Sequence, residues 1–313
     1  MDKDSGDSLA VVTSTAHLLL SHGHATSGTI DVVDALAVNQ RLDVTILPDW
    51  VSTTFVDSTG TPLKEIPALP AAINMRVVTG VITAVDEAIE SGEPADPVQL
   101  LAKLREEGSH KPFGMPIFVL GCVTGACALA VIFGARYPIT YLMVALAAGV
   151  GGVVRRLLGK YGMGPTGQAF AAAFIGGIAG ALSVHIGSAS DARLVAVCPA
   201  MVLVPGPHLL NGALDIAARR MSLGLSRLAF GSLIVLGICA GLLTGLAIGG
   251  TDLPVVAASP PVELWRDVLA AGVAAASYPI YFSLPWRLTI WPVLAGAAAH
   301  ALRWISMTSG CRA

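Results

Sequence analysis

The sequence predicts a polytopic α-helical membrane protein, in which about seven transmembrane helices follow a small α+β soluble domain. Two observations carry that expectation. Of the 313 residues, 54% are hydrophobic and only 13% charged, where a soluble domain carries roughly 25% charged residues; the mean hydropathy is +0.71. The deficit is also one-sided. Of the 21 acidic residues 16 precede Pro112, and only Asp191, Asp215, Asp252, Glu263 and Asp267 follow it. The chain is therefore two chemical halves. A net charge of -2 and a pI near 6.4 lack the basic excess of a nucleic-acid binder.

Residues 1–111 read as the soluble domain. The polar start MDKDSGDS is not the basic start and short apolar run of a secretory signal, which places the N-terminus in the cytoplasm. Residues 9–40 read as helix, with Leu9, Val12, Ala16, Leu19 and Leu20 at helical spacing. His22-Gly23-His24 interrupts it, and a second helical run begins at Asp31. Val44, Ile46, Val51 and Phe55 lie in extended segments broken at Pro48-Asp49. Asp57-Ser58-Thr59-Gly60 is a turn cluster. Helix returns over 73–90 and stops at Gly92. Asp96-Pro97 opens another helix, Asp as cap and Pro at the first helical position. His22 and His24 alone are weak evidence for a metal, since a third ligand is missing. Nothing here forms a nucleophile elbow, a phosphate loop or a zinc-protease motif.

Residues 112–250 read as a five-helix membrane domain with a broken fourth helix, and 263–308 as two further transmembrane helices. A crossing needs about 20 apolar residues. The segments 114–134, 138–154, 166–188, 194–214, 227–249, 263–284 and 287–307 meet or approach that length. The fourth contains Pro199, Pro205, Gly206 and Pro207. It cannot be one regular helix, because proline lacks a donor and clashes with the preceding turn. Flanking charges agree with the count. With the N-terminus inside, Lys103, Arg105 and Lys111, then Arg155, Arg156 and Lys160, then Arg219, Arg220 and Arg227, and finally Arg287, fall on the cytoplasmic side; Arg136 and Arg193 fall outside.

Small residues supply close helix packing in lipid. Gly121 and Gly125, Gly176 and Gly180, and the ladder Gly237, Gly241, Gly245 and Gly249 each share a helix face. Of the five cysteines, Cys122, Cys127, Cys198 and Cys239 sit in apolar helical stretches without metal-ligand spacing and read as packing residues; the fifth is Cys311.

The candidate chemistry lies in Cys198–Asp215. Irregular backbone at membrane depth is tolerated where it is buried in protein or lines a cavity, and transporters hold substrates with such broken helices. Here Pro205 and Pro207 break the helix, and Pro199 and Gly206 shape it. His208, Asn211 and Asp215 follow at spacings of three and four, on one helical face. Asp215 is placed to bind a substrate ammonium group or carry a proton; the plainer reading pairs it with Arg219 one turn later. His185 and His300 are weaker candidates. Thr124, Gln168, Ser183 and Tyr278 read as polar wall residues or, more simply, as helix-to-helix hydrogen-bond partners.

These residues resemble the threonine/serine exporter family of bacterial plasma membranes. The likeness rests on Leu18-Leu19-Leu20-Ser21-His22-Gly23-His24-Ala25-Thr26, on the extended segments followed by Asn74-Met75-Arg76, and above all on Val202-Leu203-Val204-Pro205-Gly206 with Asn211 and Asp215 behind it. It covers about residues 9–250, and 263–307 look like the opening of the family's second membrane half. The resemblance implies a secondary exporter of small hydroxylated amino acids, coupled to the proton motive force, with no organic cofactor. Its partners would be membrane lipids, the amino-acid substrate, and a second copy or a second membrane subunit, with no nucleic acid. Two departures stand out. Single-chain members have about ten spans, so either the second half is cut short or a partner supplies it. Met221-Ser222 also stands where the family carries an acidic pair. The alternatives are a dicarboxylate exporter subunit, a membrane-anchored or degenerate member without transport of its own, and a hydrolase built on the soluble domain.

Overall fold

The computed structural model describes residues 3–37, 42–55, 64–68, 73–90, 96–186, 191–252 and 262–308. The turn cluster expected at 57–60, the helix stop expected at Gly92 and the tail 309–313 lie outside the described residues. The chain divides into two units. One is Met1–Pro112 with Gly206–Phe230, the other Phe113–Pro205 with Gly231–Ala313. The sequence reading divided the chain at 111/112 and left 206–230 with the membrane helices; the structure groups that segment with the N-terminal unit.

The first unit contains α1 (Lys3–Ser21), α2 (Thr26–Ala37), β1 (Leu42–Leu47), β2 (Trp50–Phe55), β3 (Lys64–Pro67), α3 (Met75–Glu90), α4 (Pro97–Gly108) and α9 (Gly206–Ala217). The His22-Gly23-His24 break is a helix cap. Gly23 has φ 89, its amide donates to the Leu20 carbonyl, and the His24 amide donates to Leu19 at 3.0 Å. This is the paired hydrogen-bond pattern that closes a helix on a left-handed glycine. The strands form an antiparallel sheet in the order β1-β2-β3. Leu47 pairs with Trp50 around the Pro48-Asp49 turn, where Asp49 takes φ 63, a conformation Asp tolerates better than most side chains. The four-residue β3, which ends in proline, escaped the sequence reading. Asp96 caps α4 by accepting the Val98 amide at 3.0 Å. The core is aliphatic: Val11, Val12, Leu19, Val33, Val51, Val77, Val78, Val81, Val85 and Leu104 are all nearly inaccessible. Valines at 77, 78, 81 and 85 put one continuous stripe of α3 into that core.

The second unit contains α5 (Met115–Ile132), α6 (Pro138–Lys160), α7 (Pro165–His185), α8 (Ala192–Met201), most of α10 (Met221–Ile248), α11 (Leu264–Tyr281), a 3-10 turn (Trp286–Leu288) and α12 (Ile290–Thr308). Proline lies in the first turn of α5, α6 and α7, where its missing donor costs nothing. α6 runs six residues past the expected end at 154. Arg155 and Arg156 are therefore helical, stacked over the Tyr281 and Phe118 rings at 4.7 and 4.4 Å.

Each glycine pair has its own partner. Gly121 and Gly125 meet Ile280 and Ser277 of α11, and Gly176 and Gly180 meet Ala196 of α8. The α10 ladder lies on the backbone of α7: a side chain at Gly237 would stand 3.0 Å from the Thr166 carbonyl, and one at Gly241 or Gly245 would overlap the carbonyls of Phe170 and Phe174. Thr124 and Ser183 bond instead to carbonyls of their own helices, and Gln168 to the Met163 carbonyl just before its helix, which corrects the helix-to-helix expectation for them.

Among the described residues four helices, α5, α6, α7 and α10, are long and apolar enough to cross a membrane, and α8 with α9 makes a fifth if that pair crosses as one broken span. The protein is therefore helical and membrane-embedded. α11 and α12 fall outside that set, because Arg266, Asp267, His300 and Arg303 interrupt their apolar runs.

The broken fourth segment is real. α8 ends at Met201 and α9 starts at Gly206. Pro205 lies in the break, whereas Pro199 is inside α8 and Pro207 is the second residue of α9. Pro207 thus starts a helix rather than ending one, as its fixed φ favours in a first turn.

Candidate substrate site

α9 and the first turns of α10 form a hairpin within the first unit. It closes tightly because glycines face each other: a side chain at Gly212 would stand 3.0 Å from the Gly224 carbonyl. α9 ends in a cap of the same kind as α1, but with Arg219 at φ 62 in the left-handed position. The Arg220 amide then donates to the Asp215 carbonyl at 2.8 Å. Arg219 is lifted out of the helical register that would stack it on Asp215. The expected Asp215–Arg219 pair therefore does not form.

Asp215 pairs elsewhere. It is buried, with 3% of its surface exposed. Its Oδ2 accepts the Thr26 hydroxyl at 2.9 Å and lies 3.2 Å from Arg227 Nη1; its Oδ1 is 3.8 Å from Arg220 Nη1. Arg227 Nη2 also donates to the His24 carbonyl at 3.5 Å. One turn before Asp215, Asn211 Nδ2 donates to the Gly23 carbonyl at 3.1 Å. The polar face of α9 is thus fastened to the turn between α1 and α2. His208 begins that face and meets the Phe230 ring edge-on at 5.0 Å.

A cavity of about 370 Å³ opens beside this face, within the range of small-molecule sites. His208, Asn211, Ser226, Arg227, Gly23 and Asp49 supply its polar wall, and Leu20, Ile46, Leu47, Ala68, Leu223 and Phe230 the apolar part. Asp215 is not on the wall; it stands behind Arg227 and holds it. Burial pushes the His24 imidazole below its usual range, and the Arg227 guanidinium adds to that shift.

Of the residues singled out from sequence, the structure brings His208, Asn211 and Asp215 together on one face. His22 Nδ1 and His24 Nδ1 are each engaged locally, with the Leu18 carbonyl and the Thr29 hydroxyl, and the described residues contain no group of three metal-ligating side chains. His185 Nε2 lies 3.2 Å from the carbonyl of Gly249, the residue just past the end of α10. His300 belongs to a separate cluster with Asp267 and Arg303. Sequence reasoning missed Thr26, Arg227 and Asp49 at the site. Arg227 was read only as a flanking positive charge, and Asp49 only as a turn residue.

Neither a curated protein nor a solved structure matches the chain. One family model does, over residues 10–249, a stretch that includes the broken segment, all of α9 and both ends of the Asp215–Arg227 pair. The chain belongs to the putative threonine/serine exporter family.

Proposed function

We propose that the protein is a secondary transporter that exports threonine and serine across a bacterial plasma membrane, coupled to the proton motive force. In this reading the N-terminus is cytoplasmic and the spans are α5, α6, α7, the α8–α9 pair, α10, α11 and α12, seven in all, preceded by the α+β domain. Family membership supports export. The observation that carries the site is the cavity wall, where His208, Asn211 and Arg227 face one space and Asp215 braces the arginine. A small hydroxylated amino acid needs several hydrogen bonds, and His208, Asn211, Ser226, Arg227 and Asp49 on this wall are the residues that can supply them.

His208 and Asn211 would contact the substrate, and Asp215 would act through Arg227. Protonation of Asp215 would leave Arg227 without its countercharge, which gives a proton a way to alter the wall. The test is efflux of threonine from cells loaded with a threonine dipeptide. Asp215→Asn is expected to abolish efflux while the protein stays in the membrane, and a protonophore is expected to stop efflux by the unaltered protein. Unchanged efflux in the variant removes Asp215 from the mechanism. A tag at residue 1 should be hidden from external label in intact cells; labelling would invert the topology.

A further inference from the structure

We propose that the cavity of the first unit recognises its amino acid as a zwitterion, with Arg227 taking the α-carboxylate and Asp49 the α-ammonium. Both residues line the same cavity, and their side chains carry opposite charges. That is the pairing a free amino acid requires and a peptide interior or a simple dicarboxylate does not. Each group is held in place by its backbone or its neighbours. Asp49 sits in the β1–β2 turn at φ 63, and its carbonyl accepts the Ala68 amide at 2.7 Å. Among the described residues no side chain engages its carboxylate, which is left for a ligand.

Arg227 is fixed from behind by Asp215 at 3.2 Å and by the His24 carbonyl at 3.5 Å. Its side chain is 12% exposed. A guanidinium has five N–H donors, so these two partners leave donors for a carboxylate, the planar anion an arginine fork matches best. His208, Asn211 and Ser226 are then the polar groups that remain for the substrate side chain. That the amino acid is threonine or serine rests on the export reading; recognition through a carboxylate and an ammonium does not.

The experiment is isothermal titration of the full-length protein in detergent with L-threonine, N-acetyl-L-threonine and L-threoninol, on the unaltered chain and on Asp49→Asn. Asparagine tolerates a left-handed turn as well as aspartate does, so the variant keeps its hairpin, and Arg227 with its buried partner is left untouched. L-Threonine is expected to bind. Loss of either charged end is expected to weaken binding about tenfold or more, as is Asp49→Asn, which should also erase the preference over the N-acetyl form. Equal affinity for L-threonine and its N-acetyl form, unchanged affinity in Asp49→Asn, or no binding of L-threonine would each overturn the site. Efflux measured in parallel separates the two readings. Asp49-dependent binding without efflux removes export and leaves the site standing; efflux that Asp49→Asn does not alter removes the site and leaves export standing.

Discussion

Asp215 in the first unit and Asp267 in the second are both buried carboxylates that hold arginine, with 3% and 1% of their surfaces exposed. Their surroundings differ. Asp215 takes a hydroxyl from Thr26 and the charge of Arg227, and Arg227 looks onto a cavity. Asp267 takes Arg303 at 3.0 and 3.2 Å and His300 at 3.2 Å to both oxygens. Both partners come from α12 alone, and none of the three residues is among those lining the cavity beside Arg266 and Leu269 on α11. The Asp267 cluster also lies beyond the stretch that matches the family. A buried acid in a membrane protein invites a functional reading. Here one such acid fastens a helix to its neighbour, and the other aims a cation into a space. What separates them is that the partner arginine of Asp215 lines a cavity, not the burial.

The comparison can be broken most severely at Asp215. Asp215→Ala strands Arg227 and Arg220 beside a buried site, and is expected to cost about 3–5 kcal/mol, read as thermal unfolding in detergent, together with loss of efflux. Asp267→Ala should cost less, about 1–3 kcal/mol, because the Arg303 side chain is half exposed and can turn to solvent or headgroups. Efflux should survive it; loss of efflux with stability intact would make Asp267 a working group and erase the distinction. Thr26→Val removes one hydroxyl bond to the Asp215 carboxylate and keeps the shape of the side chain. About 1–2 kcal/mol is expected, with weaker threonine efflux if the brace on Arg227 matters.

The smallest effect is a pH dependence confined to the first unit. His24 is held below its ordinary value of 6.5 by burial and then by Arg227. It therefore binds a proton less well folded than unfolded, and the folded unit loses stability as pH falls below about 6.5. Protection of the α1 and α2 amides, taken relative to the intrinsic exchange rate at each pH, should fall from about pH 7.5 to about 5.5, and His24→Gln should reduce that response. An identical response in the variant would assign it to another group, with His17, also lowered by burial, the next to change.

What the sequence disclosed follows from which interactions are local. The helix start at Asp96-Pro97 and the stop at Gly23 depend on residues a few places apart, and they were legible. So were the glycine pairs, although their partners were not, because a small-residue stripe states that something comes close without stating what. The face of His208, Asn211 and Asp215 was legible as helical spacing. Its connections were not: Thr26 is 189 residues from Asp215 in the chain, and Asn211 is 188 from Gly23. Arg219 misled because a helix was assumed to continue through it, when a left-handed residue ends the helix there. β3 was missed because four residues ending in proline carry too little alternation to stand out.

The glycine ladder on α10 has one more consequence. Where side chains interlock, an intruding methyl group is absorbed by a rotamer change nearby. The α7–α10 seam has no such slack, since carbonyl oxygens of Phe170 and Phe174 already occupy the room a side chain at Gly241 or Gly245 would need. Bulk placed at one rung must therefore pry two whole helices apart, so the damage would be felt along the full length of the seam rather than at the altered residue.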